Sequence, residues 1–405
     1  MRAYERFLNY AKVNTESADG AGKSPSTDGQ WDLARLLVEE LNTLGMKDAK
    51  VSEFGVVTAV LPATPGCEAV PTLGFLAHMD TAPAFSGAGV VPIVHENYDG
   101  GDVVLPKEGR VIRLADFPEM ATLKGRTLIT ADGSTLLGAD DKAGVAEVMT
   151  LCEELITSGA PHGKLCVAFT PDEEIGEGSN HFDVPAFGAK YAYTVDGSKE
   201  GGIEYENFNA ASAKVEITGV SVHPGEAKDA MENALLIAME LNAKLPPEEI
   251  PARTEGYQGF FHLDEMNGTV AFAKMDYIIR DHDMERFTQR KALMEQVVQE
   301  VQAAHPKAKL ELTLRDSYYN MVGQLKDCMH LIENAREAAR MAGVEPTTTA
   351  IRGGTDGARL SFKGLPCPNL GTGGFNFHGV CECTTVERMD RCTEIVLNII
   401  SLYAE

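Results

Sequence analysis

Short apolar runs that alternate with helical patterns constrain the fold of this chain more than any other feature. Residues 70–77, 164–170 and 191–195 are predominantly apolar, which is typical of strands buried on both faces of a sheet. Apolar residues at helical spacing occur before the first run, at 31–44, and between the first two, at 143–157. This alternation predicts an α/β fold in which a mostly parallel, doubly wound sheet forms the centre of the main domain.

A different pattern is found between residues 208 and 316. The elements predicted there are strands at 211–218, 259–264, 269–279 and 309–315, and helices at 229–244 and 284–304. Their order, βαββαβ, is that of the ferredoxin-like split unit. The strand–helix alternation of the first part of the chain then resumes. We therefore predict a discontinuous domain, residues 1–207 and 317–405, with a smaller ferredoxin-like domain, residues 208–316, inserted into it.

The charge balance excludes several classes of partner. Thirty-six basic and sixty acidic residues give a net charge of −24, which repels nucleic-acid backbones and anionic membrane surfaces. No run of eighteen apolar residues occurs, and the N-terminal MRAYERFLNYAKV lacks the apolar core of a signal peptide. The eight cysteines are therefore expected to be reduced thiols in a cytoplasmic protein.

His78 and Asp80 lie at the end of the first predicted buried strand. Residues i and i+2 of a strand point to the same side, so both side chains project together. Open α/β sheets bind their ligands at the carboxyl ends of the strands. The imidazole could bind a metal ion while the carboxylate holds its other nitrogen. A structural histidine that is satisfied by a nearby acid is an equal alternative for this pair alone.

Further acids, and a second histidine, follow other predicted strands or precede a helix. They are Asp140 in GADDKAG, the three acids of PDEEIG at 172–174, Asp196 in TVDG and His378 in GGFNFHG. A helix N-cap would also explain Asp140, and a surface turn would explain the three acids. Adjacent carboxylates at a sheet edge repel one another unless a cation or a proton relieves the repulsion. Taken together, these residues form the pattern of a two-metal site with oxygen and nitrogen ligands.

The blocks that contain these residues resemble the peptidase T family, which comprises tripeptide aminopeptidases of the co-catalytic zinc exopeptidase superfamily. The resemblance extends from end to end of the chain. The matching blocks are AHMDT (77–81), GADDKAG (138–144), TPDEEIGEG (170–178), YTVDG (193–197), HPGEAKDAMENA (223–234), YIIRDHD (277–283), DSYYNM (316–321), IRGGTDGA (351–358) and FHG (377–379). The resemblance implies that the enzyme releases the N-terminal residue of short peptides, tripeptides in particular, and that it binds two Zn²⁺ per chain, for which Mn²⁺ or Co²⁺ could substitute.

The resemblance also implies a role for individual residues of the discontinuous, catalytic domain. Asp80 would orient His78, and Glu173 would be the general base. Asp140 would bridge the two metal ions. The remaining implied ligands are His78 and Asp196 on one ion, and Glu174 and His378 on the other.

The inserted domain would act as a lid over the substrate. His223, Arg280 and Arg352 match positions that contact substrate in such enzymes. Arg280 would bind the carboxylate of a short peptide with two hydrogen bonds, and a salt bridge to Asp281 or Asp283 is the structural alternative. A capping or buried structural histidine is the alternative for His223. Lid domains of this type often pair edge to edge, so the sequence leaves a homodimer open.

Two positions near the last ligand depart from the family pattern. Phe375 and Val380 stand where the family usually has a histidine and a basic residue, so we expect less polar walls near His378 and an altered peptide preference. Dipeptidases, carboxypeptidases and N-acyl-amino-acid deacylases on the same scaffold remain alternatives. A non-catalytic binding protein would be expected to lose a ligand or the base, and all seven positions are filled. No G-x-G-x-x-G follows the first strands, which disfavours a dinucleotide-binding enzyme.

Overall fold

The computed structural model describes residues 1–197 and 199–404. They form two compact units. The first contains Met1–Tyr205, Gly323–Thr349 and Thr355–Glu405, and the second contains Glu206–Val322 and Ala350–Gly354. The cuts fall after Tyr205 and Val322, where the sequence predicts 207 and 316, and a short return segment at 350–354 joins the second unit.

Strands and helices alternate through most of the chain. The strands are β1 (Lys47–Val51), β2 (Val57–Leu61), β3 (Leu73–His78), β4 (Ile93–His95), β5 (Val103–Val104), β6 (Val111–Ile112), β7 (Leu128–Thr130), β8 (Leu165–Thr170), β9 (Tyr191–Gly197), β10 (Ile203–Glu204), β11 (Asn209–Thr218), β12 (Phe260–Gly268), β13 (Phe272–Asp281), β14 (Lys309–Tyr318), β15 (Asn369–Gly371) and β16 (Cys383–Thr385). The helices are α1 (Ala3–Tyr10), α2 (Gly29–Leu44), α3 (Ala139–Ser158), α4 (Val184–Phe187), α5 (Ala234–Lys244), α6 (Met284–Ala304), α7 (Val322–Leu325), α8 (His330–Met341), α9 (Asp356–Phe362) and α10 (Val386–Ala404).

The main sheet of the first unit has the strand order β1-β2-β8-β3-β9-β15-β10. Its four central strands, β8, β3, β9 and β15, are parallel, and the outer strands pair antiparallel. Every residue of β3 and β8 is buried, because α3 packs on one face while Phe187 of α4 and Leu360 of α9 pack on the other. The predicted doubly wound α/β fold is confirmed, and the carboxyl ends of its parallel strands lie at one edge of the sheet.

A small satellite core lies beside the main sheet, in the segment from β4 to β7. It buries apolar side chains of this segment together with two residues from near the C-terminus: Tyr98, Val103, Leu105, Ile112, Met120, Leu123, Leu128, Phe375 and Cys383. The last two form an antiparallel bridge, in which each backbone N–H donates to the other residue's carbonyl at 3.0 and 3.1 Å. This bridge closes the loop of residues 376–382, which carries His378.

The second unit is a four-stranded antiparallel sheet in the order β12-β13-β11-β14. Alternate apolar residues of its strands pack against α5 and α6 on one face, and Arg280 lies on the other face, directly opposite Phe260 and Ala210. The predicted βαββαβ arrangement is confirmed. The strand predicted from residue 269 in fact begins at Phe272, because β12 runs on to Gly268 and the turn is closed by Thr269 N–H donating to Phe272 O.

The second unit differs from the sequence prediction at one further point. The helix predicted from residue 229 begins only at Ala234, because the side chain of Asn233 accepts a hydrogen bond from Leu235 N–H and caps it.

Within the part of the chain that the structure describes, no helix combines the length and the apolar character needed to cross a bilayer.

Candidate metal centre and catalytic residues

His78 ends the buried strand β3, and its side chain is 2% exposed. Its Nε2 lies 3.0 Å from Asp140 Oδ1 and 3.3 Å from Asp196 Oδ1. Its Nδ1 lies 3.1 Å from the backbone oxygen of Asp80 and 3.3 Å from the Oδ1 atom of the same residue. One ring nitrogen is therefore held by Asp80, while the other faces two carboxylates.

His378 provides the second half of the same cluster. Its Nε2 lies 3.2 Å from Asp140 Oδ2 and 3.0 Å from Glu174 Oε2. Asp140 therefore directs one oxygen towards each of the two imidazoles. The structure brings all five implied ligands together in one continuous set, in the order Asp196, His78, Asp140, His378 and Glu174. This is the arrangement that a carboxylate bridging two metal ions requires.

The donor atoms of this cluster fit divalent cations. The ligand atoms of His78, Asp140 and Glu174 all lie within 4.8 Å of one another. Glu174 Oε1 is buried, and the described residues offer it no hydrogen-bond partner. Imidazole nitrogen and carboxylate oxygen are ligands that zinc accepts, and a cation would satisfy the orphaned oxygen. The residues present therefore fit a pair of divalent ions.

The charges of the cluster are unbalanced in the protein alone. Burial raises the pKa of Asp196 to about 6 and that of Glu174 to about 7. Burial acts in the same direction on Asp140, but its hydrogen bonds with His378 and His78 outweigh burial and hold the pKa of Asp140 below its usual value. Hydrogen bonds to Asp140 and Glu174 raise the pKa of His378 to about 10. The raised pKa values of Asp196, Glu174 and His378 reflect buried negative charge that a cation would neutralise.

Glu173 and Glu174 are neighbours with different surroundings. Asp80 accepts the backbone N–H of Glu173 at 3.0 Å and that of Glu174 at 3.1 Å, so it holds this loop as well as His78. The carboxylate of Glu174 faces His378, whereas Glu173 Oε1 accepts the backbone N–H of Asp356 at 3.2 Å. Burial, together with the charge of Asp196, raises the pKa of Glu173 well above its usual value.

Sequence comparison identifies the family of the chain. It is 51% identical to Peptidase T of Geobacillus kaustophilus over 403 residues, which cover 99% of this chain and 98% of that protein. It is 49% identical to Peptidase T of Salmonella arizonae over 402 residues, with the same coverage. The chain belongs to the peptidase T family. The predicted family is confirmed, and with it the enzyme class, a metallo-exopeptidase.

Other comparisons agree with the observed fold. The family model described as Peptidase dimerisation domain matches residues 205–309. The crystal structure of aminopeptidase PepT from Bacillus cereus has a TM-score of 0.79 at 23% identity and covers 100% of this chain and 98% of that chain. A dinuclear metal binding peptidase of the M20 family from Bacillus subtilis has a TM-score of 0.66 at 14% identity, covering 99% and 98%. At these identities the two structures support the fold alone.

Three acidic residues of this chain were assigned no individual role from the sequence. Asp141 is buried and accepts the backbone N–H of His78 at 3.1 Å, and it forms a second candidate ligand group with His78 and Asp196. Asp172 is fully buried and accepts the backbone N–H, at 2.9 and 3.0 Å, and the hydroxyl of Ser26. Glu382 accepts three backbone N–H groups next to Asp140. The doubled acid of GADDKAG includes the first of them and the acidic run at 172–174 includes the second, whereas no sequence motif pointed to Glu382.

Phe375, one of the two departures from the peptidase T pattern, is buried in the satellite core. The guanidinium of Arg388 lies 5.1 Å from the centre of its ring. An apolar residue is favoured there by packing. Val380 is only partly buried.

Arg280 has no acidic partner among the described residues of the second unit. Its guanidinium donates to backbone carbonyls and lies 5.2 Å from the ring centre of Tyr318. The structural alternative, a salt bridge to Asp281 or Asp283, is not formed. Asp281 pairs with Arg290 at 2.8 Å, and Asp283 caps α6.

The two remaining substrate-binding candidates differ in how many hydrogen bonds their side chains make within the protein. His223 is exposed, and its Nδ1 accepts the backbone N–H of Gly225 at 3.2 Å. Arg352 donates four hydrogen bonds of 2.8–3.2 Å to the segment 254–258, and its guanidinium lies over two phenylalanine rings. The donors of Arg352 are therefore largely used by the second unit itself.

Proposed function

We propose that this chain is an aminopeptidase that releases the N-terminal residue of short peptides, tripeptides in particular, with a water molecule activated between two Zn²⁺ ions. The observation that carries the proposal is the placement of Asp140, which directs one carboxylate oxygen to His78 and the other to His378. Each of these histidines also faces one further carboxylate, from Asp196 and Glu174 respectively.

The five ligands would hold the two ions, His78 and Asp196 on one side of Asp140 and Glu174 and His378 on the other. Bound as a pair, such ions lower the pKa of a shared water and polarise a carbonyl oxygen. Mn²⁺ or Co²⁺ would suit the same donor set.

Glu173 is the residue that we propose as the general base. Its carboxylate would take a proton from the attacking water and deliver it to the leaving amine. The hydrogen bond from Asp356 N–H and the hold of Asp80 on its backbone fix the side chain for this task. Its raised pKa reflects a buried site in which a proton can be held during the reaction.

His223 and Arg280 are proposed to bind the substrate. The imidazole of His223 would donate to the oxyanion of the tetrahedral intermediate. Among the residues that the structure describes, the partly buried guanidinium of Arg280 has no carboxylate partner, and such a charge is costly unless an anion joins it. The C-terminal carboxylate of a peptide is a suitable anion. Binding of that group would limit the length of the substrate, which accounts for the preference for short peptides.

Substrate and product analysis tests this activity against its alternatives. We expect the purified protein to contain two divalent ions per chain, to cleave a free tripeptide, and to release its N-terminal residue first. The N-acetylated tripeptide should resist cleavage. Release of the C-terminal residue would indicate a carboxypeptidase, release of acetate a deacylase, and a preference for dipeptides a dipeptidase. Active protein with only trace metal would contradict the two-metal proposal.

The assembly of the chain is a separate proposal. The match to the dimerisation domain model at residues 205–309 supports a homodimer formed through the second unit. Sedimentation equilibrium of the full chain would give its mass in solution, and a monomer at micromolar concentration would contradict this proposal.

A cytoplasmic location also remains a prediction, which cell fractionation would test.

A further inference from the structure

Glu382 is a buried carboxylate that the proposed reaction does not use. It is 1% exposed and lies at the end of the loop 376–382. Its Oε2 accepts the backbone N–H groups of Leu137 and Gly138 at 2.8 and 2.7 Å, and its Oε1 accepts that of Asp140 at 2.9 Å. Both oxygens are thus directed at the one short segment that carries the bridging carboxylate.

The segment needs an external acceptor because its backbone departs from helical geometry. Gly138 has a left-handed conformation, with φ of 79°, and Asp140 is non-helical, with φ of −87° and ψ of 104°. The first N–H groups of a helix have no partner within the helix, and a buried N–H group without a partner costs about as much as a lost hydrogen bond. Glu382 supplies that partner to Asp140 in the first turn of α3, and it also accepts the N–H groups of Leu137 and Gly138, which precede the helix. A carboxylate is also favoured at a helix N-terminus.

Glu382 also connects the two halves of the ligand set. It lies four residues after His378, in the loop that the bridge between Phe375 and Cys383 closes. A single side chain therefore ties the loop of His378 to the backbone of Asp140. Since Asp140 must reach both histidines, small shifts between these two segments would disturb the cluster.

We propose that Glu382 is a positioning residue for the metal site, which fixes Asp140 so that one carboxylate oxygen faces each histidine. This inference rests on the proposed two-metal function. Residues that orient metal ligands through hydrogen bonds typically change metal affinity or activity by about 10–100-fold when they are replaced.

Glu382→Gln is the informative variant because it keeps the size of the side chain and removes one acceptor. If the amide oxygen accepts from Leu137 and Gly138, the NH₂ group faces the N–H of Asp140, donor against donor. If the amide is reversed, two donors lose their acceptor instead. We expect the zinc affinity of Glu382→Gln, measured by competition with a chromophoric chelator, to fall about 10–100-fold, and the visible absorption spectrum of the Co²⁺-loaded protein to change.

Glu387→Gln is the matched control. Glu387 is also a glutamate whose two oxygens accept one backbone N–H far away in sequence, that of Thr127, both at 3.0 Å. It lies in the same unit, and among the described residues it makes no hydrogen bond to a candidate ligand or to the segment 137–140. We expect its zinc affinity and cobalt spectrum to match those of the unmodified protein.

The outcomes separate the proposal from a purely structural role. The proposal is overturned if a folded Glu382→Gln variant has the zinc affinity and the cobalt spectrum of the unmodified protein. It is also overturned if Glu387→Gln loses as much zinc affinity as Glu382→Gln does. If Glu382→Gln does not fold, Glu382→Asp decides, because it keeps the charge but is one methylene shorter: weaker zinc binding supports the proposal and unchanged binding overturns it. If the unmodified protein binds two ions and Glu382→Gln does too, with equal affinity, only this inference fails. An unmodified protein without two ions would overturn the proposed function as well.

Discussion

In the first unit, side chains from five separate segments meet at one edge of a sheet. In the second unit, the three substrate-binding candidates each contact different neighbours. The carboxyl ends of β3, β8 and β9 place His78, Glu174 and Asp196 in one cluster. Among the described residues, no hydrogen bond or ion pair joins any two of His223, Arg280 and Arg352. The difference follows from topology, because parallel strands end at a common edge and antiparallel strands do not.

The two units also differ in the sign of the charge that burial disfavours. The first buries carboxylates whose pKa is raised, as in Asp196 and Glu174. The second buries the guanidinium of Arg280, whose pKa burial lowers. We infer that the first unit needs cations to be complete and that the second needs an anion. Variants in each unit therefore test this difference separately.

The largest effect is expected in the first unit, from Glu173→Gln. Loss of the general base should lower kcat by about 10²–10⁴, with little change in KM, because Glu173 acts mainly in the transition state. The metal content should stay at two ions per chain. Steady-state kinetics and elemental analysis of the same preparation check both points.

Glu177→Gln is a matched control for that variant, since Glu177 is exposed on the same loop. We expect it to keep full activity. Near-wild-type rates in Glu173→Gln would mean that the base lies elsewhere, and loss of metal from it would mean that Glu173 is a ligand.

The next effect is expected in the second unit, from Arg280→Gln. A hydrogen bond to a charged group contributes about 1.5–3 kcal/mol, so kcat/KM for a free tripeptide should fall by about 10–100-fold. The same tripeptide with a C-terminal amide should be a poor substrate for both proteins, and it should not distinguish them. Equal losses on the acid and the amide would show that Arg280 does not bind the carboxylate.

Arg315→Gln serves as the control for Arg280. Arg315 is exposed on β14 and lies opposite Ser212, and it makes no ion pair among the described residues. We expect its kinetics to match those of the unmodified protein on both substrates.

A smaller effect is expected from Arg352→Lys. An ammonium group cannot reproduce the planar set of donors that Arg352 directs at the segment 254–258, so the free energy of unfolding should fall by about 1 kcal/mol. Amide hydrogen exchange in that segment should become faster, while kcat/KM stays the same. A loss of activity at unchanged stability would instead support the substrate contact that the family resemblance implies.

The smallest effect concerns the pH dependence of the second unit. His305, at the C-terminal end of α6, lies 2.8 Å from both Glu232 and Glu240. The hydrogen bond to Glu240, with that to Glu232, raises the pKa of His305 above its usual value. The folded protein thus binds this proton more tightly than the unfolded chain does. The resulting stability is fully present below the unfolded pKa, about 6.5, and is lost as the pH rises through the folded pKa.

Thermal unfolding between pH 5 and pH 9 checks this point. We expect His305→Gln to melt below the unmodified protein at acidic pH, and the gap between the two to narrow as the pH rises. A gap that stays constant across this range would contradict the assigned role of His305.

Much of the fold and of the metal cluster could be predicted from the sequence, because both depend on local patterns. The apolar runs of β3, β8 and β9 can be recognised in the sequence, and so can the acids that follow β8 or lie near the end of β9. Parallel pairing brings the ends of these strands together. The ferredoxin-like unit was predictable for the same reason, since the apolar residues of its strands and helices recur at the spacing typical of each. The turn after Gly268 was misplaced because β12 continues past its last buried residue.

The contacts that the sequence did not reveal are long-range and involve the backbone. Glu382 and Asp140 are more than two hundred residues apart in the sequence. Glu382 accepts backbone N–H groups, which every residue except proline has, so no sequence pattern indicates this contact. The burial of Phe375 was not predicted, because the satellite core that contains it is assembled mainly from residues 98–128. Arg352 matched a substrate-binding motif, but its hydrogen bonds to the segment 254–258 appear only once the chain is folded.

Crystallography at the zinc absorption edge tests the two-metal cluster most directly. Anomalous difference maps of the zinc-loaded protein should show two peaks roughly 3.5–4 Å apart. One peak should contact His78 and Asp196, the other Glu174 and His378, and Asp140 should contact both. A single peak, or a peak held by Asp141 in place of Asp140, would contradict the bridging role on which the proposed function rests.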